Sequence, residues 1–304
     1  MSDRDARRDR VAAVPREGQS ELIAAFEALV PGSSFATRTW DRPGGGGGTA
    51  RVMDGGELFE RGGVNVSVVK GKDLPEEVRR KRDLPEGLDF WATGISMVLH
   101  PRNPMVPTFH ANFRYFEAGD MEDWWFGGGA DLTPYYPYEE DVRAFHGTLR
   151  ALCDRHDVAE YPRWKAWCDD YFTVRHRNEM RGVGGIFFDW LAPTEEEGGW
   201  EAAFAFMIDG VRTLKDAYVP IVERRMGESY GDAEREWQLL RRGRYAEFNL
   251  VYDRGTRFGL QTQGDIEAIL MSLPPLARWE TDAHPVEGTP EHAATAFYQP
   301  QDWA

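Results

Sequence analysis

An α+β fold, a large antiparallel β-sheet flanked by α-helices in one domain, is what the sequence predicts, and three observations predict it. Strand-like stretches with an apolar/polar period of two come in blocks, and amphipathic stretches of helical period come in separate blocks. The two never alternate strictly, as a parallel sheet with crossover helices would require. Each strand also carries one polar face, which suits an antiparallel sheet more than one buried on both sides. At 304 residues, 41% apolar and 13% aromatic, the chain has ample material for a single core. No internal repeat or clean linker divides it.

From the N-terminus, residues 1–18 read as a charged, flexible lead-in and residues 19–304 as the domain proper. "SELIAAFEAL" offers Ser20 as a helix cap, with Leu22, Ile23, Phe26 and Leu29 at helical spacing. The pentaglycine Gly44–Gly48 cannot be an element interior, so a surface loop or hairpin tip is expected there, a lid being the functional alternative. Strands follow. "GVNVSVVKG" alternates around Val64, Val66 and Val68, and "ATGISMVLH" sets Ile95, Met97 and Leu99 against Ser96, Val98 and His100. In the next stretch Phe109, Ala111, Phe113 and Tyr115 point one way, and Thr108, His110, Asn112 and Arg114 the other. "GRYAEFNLVYDRGT" shows the same alternation and is expected to be a strand too. Three stretches, starting at "YEEDVRAF", "YPRWKAWC" and "WEAAFAFM", carry apolar residues at helical spacing and need a sheet face to cover.

A formal charge of −15 and a pI near 5.0 argue against nucleic acid or an anionic membrane as the main partner, since both would repel such a surface. Only five of the 36 basic residues are lysine; the rest are arginine, the side chain that grips carboxylates bidentately. Cys153 and Cys168 both fall in helical segments, which suits buried thiols in a reducing compartment. The charged start lacks an apolar leader core and no window is long and apolar enough to span a bilayer, so a cytoplasmic protein without an integral membrane segment is expected.

Four histidines, His100, His110, His146 and His176, lie in the middle third and could converge on a metal, although none forms a ligand motif with its neighbours; a histidine satisfied by ordinary hydrogen bonds is the plain alternative. His110 stands out because Asn112 and Arg114 share its strand face, a donor-rich row that an acidic, partly apolar ligand would want. In "WWFGGGADLTPYYPY" three glycines after three aromatics would let backbone approach something flat, and Asp131 heads a turn; a tight turn on the core is the alternative. Arg241, Arg242, Arg244, Arg254 and Arg257 crowd a short stretch in which Asp253 could act as a base, unless the run is simply a solvated face. Arg175, His176, Arg177 and Arg181 add cations at a helix end. Together these describe a cleft on a polar sheet face for a large, flat polycarboxylate.

"SMVLHPRNPMVPTFHANFRYFE", "WWFGGGADLTPYY", "YFTVRHRNEMRGVGGIFFD", "RRGRYAEFNLVYDRGTRFGLQT" and "ILMSLPPLARW" closely resemble the oxygen-dependent coproporphyrinogen III oxidases, from about residue 19 to the C-terminus. The resemblance implies a homodimer that converts the ring A and ring B propionates of coproporphyrinogen III to vinyls with O2, releasing CO2 and H2O2, with no cofactor required. It implies His110 as proton donor, with Asp131, Asp253 and Arg254 in pyrrole recognition or proton abstraction. Ser96, Asn112, Phe113, Arg114 and the segment Gln263, Gly264 and Asp265 correspond to substrate contacts, and the four histidines to a proposed, optional divalent cation site for Mn or a similar ion. One departure stands out: Asp265 falls where the family places an arginine, so Arg257 or Arg278 is expected to substitute, or propionate binding to be weaker at that end. A metal-dependent oxygenase and a non-catalytic tetrapyrrole carrier are the rival readings.

Overall fold

The computed structural model describes residues 3–42, 44–74, 76–119, 123–261 and 265–304. In chain order these form α1 (Asp3–Ala28), β1 (Ala36–Asp41), β2 (Gly46–Asp54), β3 (Phe59–Gly71), α2 (Glu76–Arg82), β4 (Phe90–Pro101), β5 (Thr108–Ala118) and β6 (Asp123–Thr133). Then come α3 (Glu139–Cys153), α4 (Tyr161–Tyr171), the short pair β7 (Thr173–Val174) and β8 (Glu179–Met180), and β9 (Gly184–Leu191). The chain closes with α5 (Gly199–Arg225), α6 (Asp232–Val251), α7 (Arg254–Gln261), α8 (Ile266–Leu270) and α9 (Pro290–Thr295). Seven strands pair antiparallel in the order β1-β2-β3-β4-β5-β6-β9, the α+β architecture expected.

The period of two gives this sheet two unlike faces. Val64 and Val66, Ile95 and Met97, Ala111 and Phe113, Ala130, and Ile186 and Phe188 form the apolar face, packed with α1, α3 and α5 into one core cluster. The register places Asn65, Ser96, Asn112 and Gly129 side by side on the opposite face. Elements α6 to α8 close over that polar face, with Asn65 donating to the Ala268 carbonyl at 2.7 Å. α4 wraps the β9 edge: Trp164 stacks on Phe188 on one side of the sheet and Tyr171 on Phe187 on the other.

Three expectations change. The charged lead-in is instead the first half of α1, where Val11, Ala12 and Pro15 are buried. Its arginines are tied down, because Arg4 and Arg8 reach the carboxylate of Glu117, which is 0% exposed on β5. The pentaglycine is a hairpin tip only in part, since Gly46–Gly48 are paired residues of β2. Bare backbone is needed there: a Cβ on Gly48 would lie 2.2 Å from the Trp40 ring. Lastly, "GRYAEFNLVYDRGT" is no strand; most of it belongs to α6, which buries Trp237, Arg241, Tyr245 and Phe248 at helical spacing. Arginines on the buried stripe hid that period, and Leu250 and Val251, read as a strand's two faces, are both exposed.

Candidate active site

A cavity of about 450 Å³ lies between the polar sheet face and α4, α6, α7 and α8. That size falls within the usual range for small-molecule sites. Ser96, His110, Asn112, Arg114, Asp253, Arg254 and Asp265 all line it, so the strand row and the α6–α7 junction, far apart in sequence, share one hollow. Trp40, Phe116, Trp125, Tyr171, Phe187 and Trp190 supply aromatic walls.

His110 and Asp131 stand directly opposite each other across β5 and β6. Asp131 is therefore no turn residue; it sits inside a strand, 2% exposed. Its Oδ1 lies 2.6 Å from His110 Nδ1, and its Oδ2 accepts from Arg181 at 2.6 Å. Burial alone would raise the Asp131 pKa, but the Arg181 guanidinium and His110 outweigh it and hold the carboxyl below its ordinary range. An ionised Asp131 makes Nδ1 the donor, which leaves Nε2 as the ring nitrogen available for proton exchange. Arg181 is itself buried, its guanidinium 4.3 Å from the Phe172 ring and 4.3 Å from that of Tyr245, and it donates to Asn249 at 2.7 Å.

Arg114 is held between Asn112 Oδ1 at 2.7 Å and Asp189 at 2.9 Å, which aims one cation at the cavity. Asp253 begins α7: its Oδ2 accepts from the Thr256 amide and hydroxyl at 2.7 and 2.9 Å, and its Oδ1 from the Tyr171 hydroxyl at 3.0 Å. Burial, then the charge of Asp253, pushes the Tyr171 phenol up, so it stays a donor. A carboxylate has about four acceptor positions, so Asp253 keeps capacity for one more N–H.

Other expected residues fall elsewhere or serve the fold. Phe113 points into the core, against Phe188 and Phe206, and makes no wall of the cavity. Gln263 and Gly264 lie outside the described residues. Asp265 caps α8 through the Ala268 amide at 2.8 Å and pairs with Arg38 at 2.9 Å, so the acid has its own structural work. Neither Arg257 nor Arg278 lines the cavity; Arg278 pairs with Glu236 and Glu280. The glycines of "FGGG" meet neighbouring strands, with no part in the lining. Arg241 and Arg242 are buried ion-pair partners of Glu179 and Glu60, neither a solvated face nor cavity cations.

The four histidines do not form a ligand set, and no group of three metal-ligating side chains exists among the described residues. Both nitrogens of His100 are engaged, by Thr108 and the Ser272 carbonyl; those of His146 by Tyr161 and the Val183 carbonyl; those of His176 by Tyr252 and Glu247. Burial drives the His146 pKa down to about 3 and that of His100 well below its usual value, so both are neutral structural groups. A divalent cation shared by these four rings does not fit this arrangement.

The family described as coproporphyrinogen III oxidase matches residues 10–303. The chain belongs to the coproporphyrinogen III oxidase family. An oxygen-dependent coproporphyrinogen-III oxidase of Prochlorococcus marinus (strain MIT 9313) is 50% identical over 94% of this chain and 87% of its own length. One of Synechococcus sp. (strain CC9902) is 49% identical over 97% and 87%, and one of Drosophila melanogaster 49% identical over 100% and 80%. The sequence assigned no site role to several cavity residues: Tyr171, Asp189, Trp190, Trp40 and Asn249. Asp189 was within reach, because alternation along "IFFD" sets it on the face opposite Phe188. Trp190 was not, since alternation points it into the core.

Proposed function

We propose that the protein is an oxygen-dependent coproporphyrinogen III oxidase, converting the propionates of rings A and B to vinyl groups in haem biosynthesis. The observation that carries this is the shared hollow: His110, Arg114 and Asp253 face one aromatic-walled cavity. A flat tetrapyrrole with four carboxylates matches rings on the walls and guanidinium groups among them. In each cycle a propionate loses CO2 and a hydride equivalent, and O2 accepts that hydride and one proton to leave as H2O2. His110, protonated on both nitrogens, gives up its Nε2 proton while Nδ1–H stays donated to Asp131. Asp253 accepts the pyrrole N–H, which enriches the ring in electrons and readies it for O2. Replacing Asp253 with asparagine keeps the α7 cap and removes the charge; turnover should fall at least about 100-fold with the fold intact.

In our reading O2 chemistry proceeds without a resident metal at the histidines; the separate hydrogen bonding of each ring supports this. The protein would act in the cytoplasm as a homodimer. Free, buried Cys153 and Cys168 support the compartment, and exposed Leu250, Val251, Ile266 and Trp279 support a second copy. Among the described residues no helix is long and apolar enough to cross a membrane. Chelator-treated protein, loaded anaerobically with coproporphyrinogen III and then given air, should consume O2 and release CO2 in equal amounts, two of each per substrate. Binding without O2 uptake would indicate a carrier, and activity restored only by added metal would indicate a metal-dependent oxygenase.

A further inference from the structure

The alternation of faces breaks at the end of β9. Phe187 lines the cavity, Phe188 packs in the core against Trp164, and Asp189 returns to the cavity side. Trp190 should then turn to the core, yet it lines the cavity as well. The register explains how: Phe126 pairs with Leu191 and Gly128 with Phe188, so Asp189 and Trp190 together face the single residue Gly127. Such a bulge re-aims side chains. It holds Trp190 at φ +61°, a left-handed backbone; the other non-glycine residues at positive φ among those described are Asp83, Asn178 and Asp282, types that tolerate it. A bulky aromatic does not.

Gly127 completes the device. A Cβ there would lie 2.6 Å from Asp189 Oδ1 and 2.8 Å from the Arg114 guanidinium, so the Arg114–Asp189 pair fits only over bare backbone. Asp189 Oδ1 also accepts from the Trp190 backbone amide at 3.1 Å. One carboxylate therefore fixes both the cation and the aromatic presented to the cavity. The indole is backed by Trp125, 4.8 Å between centroids, which in turn stacks on Phe116 at 4.5 Å.

We propose that Trp190 is a specificity-determining residue: its indole is the platform on which one pyrrole ring of the substrate lies, while Arg114 takes a carboxylate of the same molecule. This deepens the reading above and rests on a tetrapyrrole occupying the cavity. Backbone strain at a cavity wall persists where the surrounding structure holds it for a task.

The test compares wild type with Trp190→Asn, which suits the left-handed backbone but lacks the ring, and Trp190→Phe, which keeps a ring. Anaerobic binding of coproporphyrinogen III, KM, kcat and thermal unfolding are measured for each. Trp190→Asn should bind roughly tenfold more weakly, with KM raised and kcat within about threefold of wild type. It should melt at or above the wild-type temperature, and Trp190→Phe should recover most of the binding. The assignment is overturned if Trp190→Asn binds like wild type. It is also overturned if Trp190→Asn melts much lower and Trp190→Phe recovers no binding, since Trp190 would then serve packing alone. Wild-type protein that neither binds nor converts coproporphyrinogen III defeats the functional reading itself, a distinct result.

Discussion

His110 and Asp131 touch across two strands, but their neighbours give them different dependencies. Removing the imidazole leaves Asp131 paired with Arg181, so His110→Gln should lower kcat by about 100-fold or more with little change in melting temperature. Removing the carboxylate charge strands a buried guanidinium, so Asp131→Asn should lose activity and about 3–5 kcal/mol of stability together. Steady-state kinetics beside thermal melts check both. His146 makes a separate prediction. Its folded pKa of about 3 lies below the ordinary 6.5, so the unfolded ring takes up a proton at a pH where the folded ring does not. The stability this contributes is complete above about pH 6.5 and is lost as pH falls toward 3, roughly 2 kcal/mol of it by pH 5. Melting temperature should thus fall between pH 7 and 5, more steeply in wild type than in His146→Gln. The row of His110, Asn112 and Arg114 was legible because a strand's period of two assigns faces without further information. Phe113 obeys the same rule, and its place in the core follows from it; the family resemblance had put it with the substrate.

Helix α1 shows what composition hides. Its charges suggested a solvated tail, yet Arg4 and Arg8 cover Glu117, which also accepts from Tyr115 at 2.9 Å. Replacing both arginines with methionine leaves that carboxylate buried without a counter-charge, and should cost about 3–5 kcal/mol in chemical denaturation. Adding Glu117→Leu should restore much of the loss; no recovery would mean that the helix docks through its apolar residues alone. Helix α6 escaped notice for a related reason. A hydrophobicity pattern counts arginine as surface, whereas Arg242 is 0% exposed and held by Glu60 and the Pro101 carbonyl. Strands β3 to β5 and helices α3 to α5 followed their apolar periods and lie where the sequence indicated, whereas β6, read as a turn after three aromatics, carries glycines that hide its period. Ion pairs between elements distant in the chain carry no local period, and such pairs hold both α1 and α6 in place.

Across the molecule, the polar sheet face becomes a site only because α6, α7 and α8 return over it some 150 residues after the strands that form its floor. Motif resemblance pointed to the floor and to Asp253 together, but their meeting is a tertiary fact. The bulge at Asp189 and Trp190 is likewise invisible to alternation, since it is a departure from that pattern. A crystal structure of the anaerobic complex with coproporphyrinogen III would examine this assembly most directly. The expected density places the macrocycle between the sheet and α8, with the His110 imidazole at its reacting side chain and Asp253 at a pyrrole N–H. A macrocycle bound on any other surface, with this cavity empty, would contradict it.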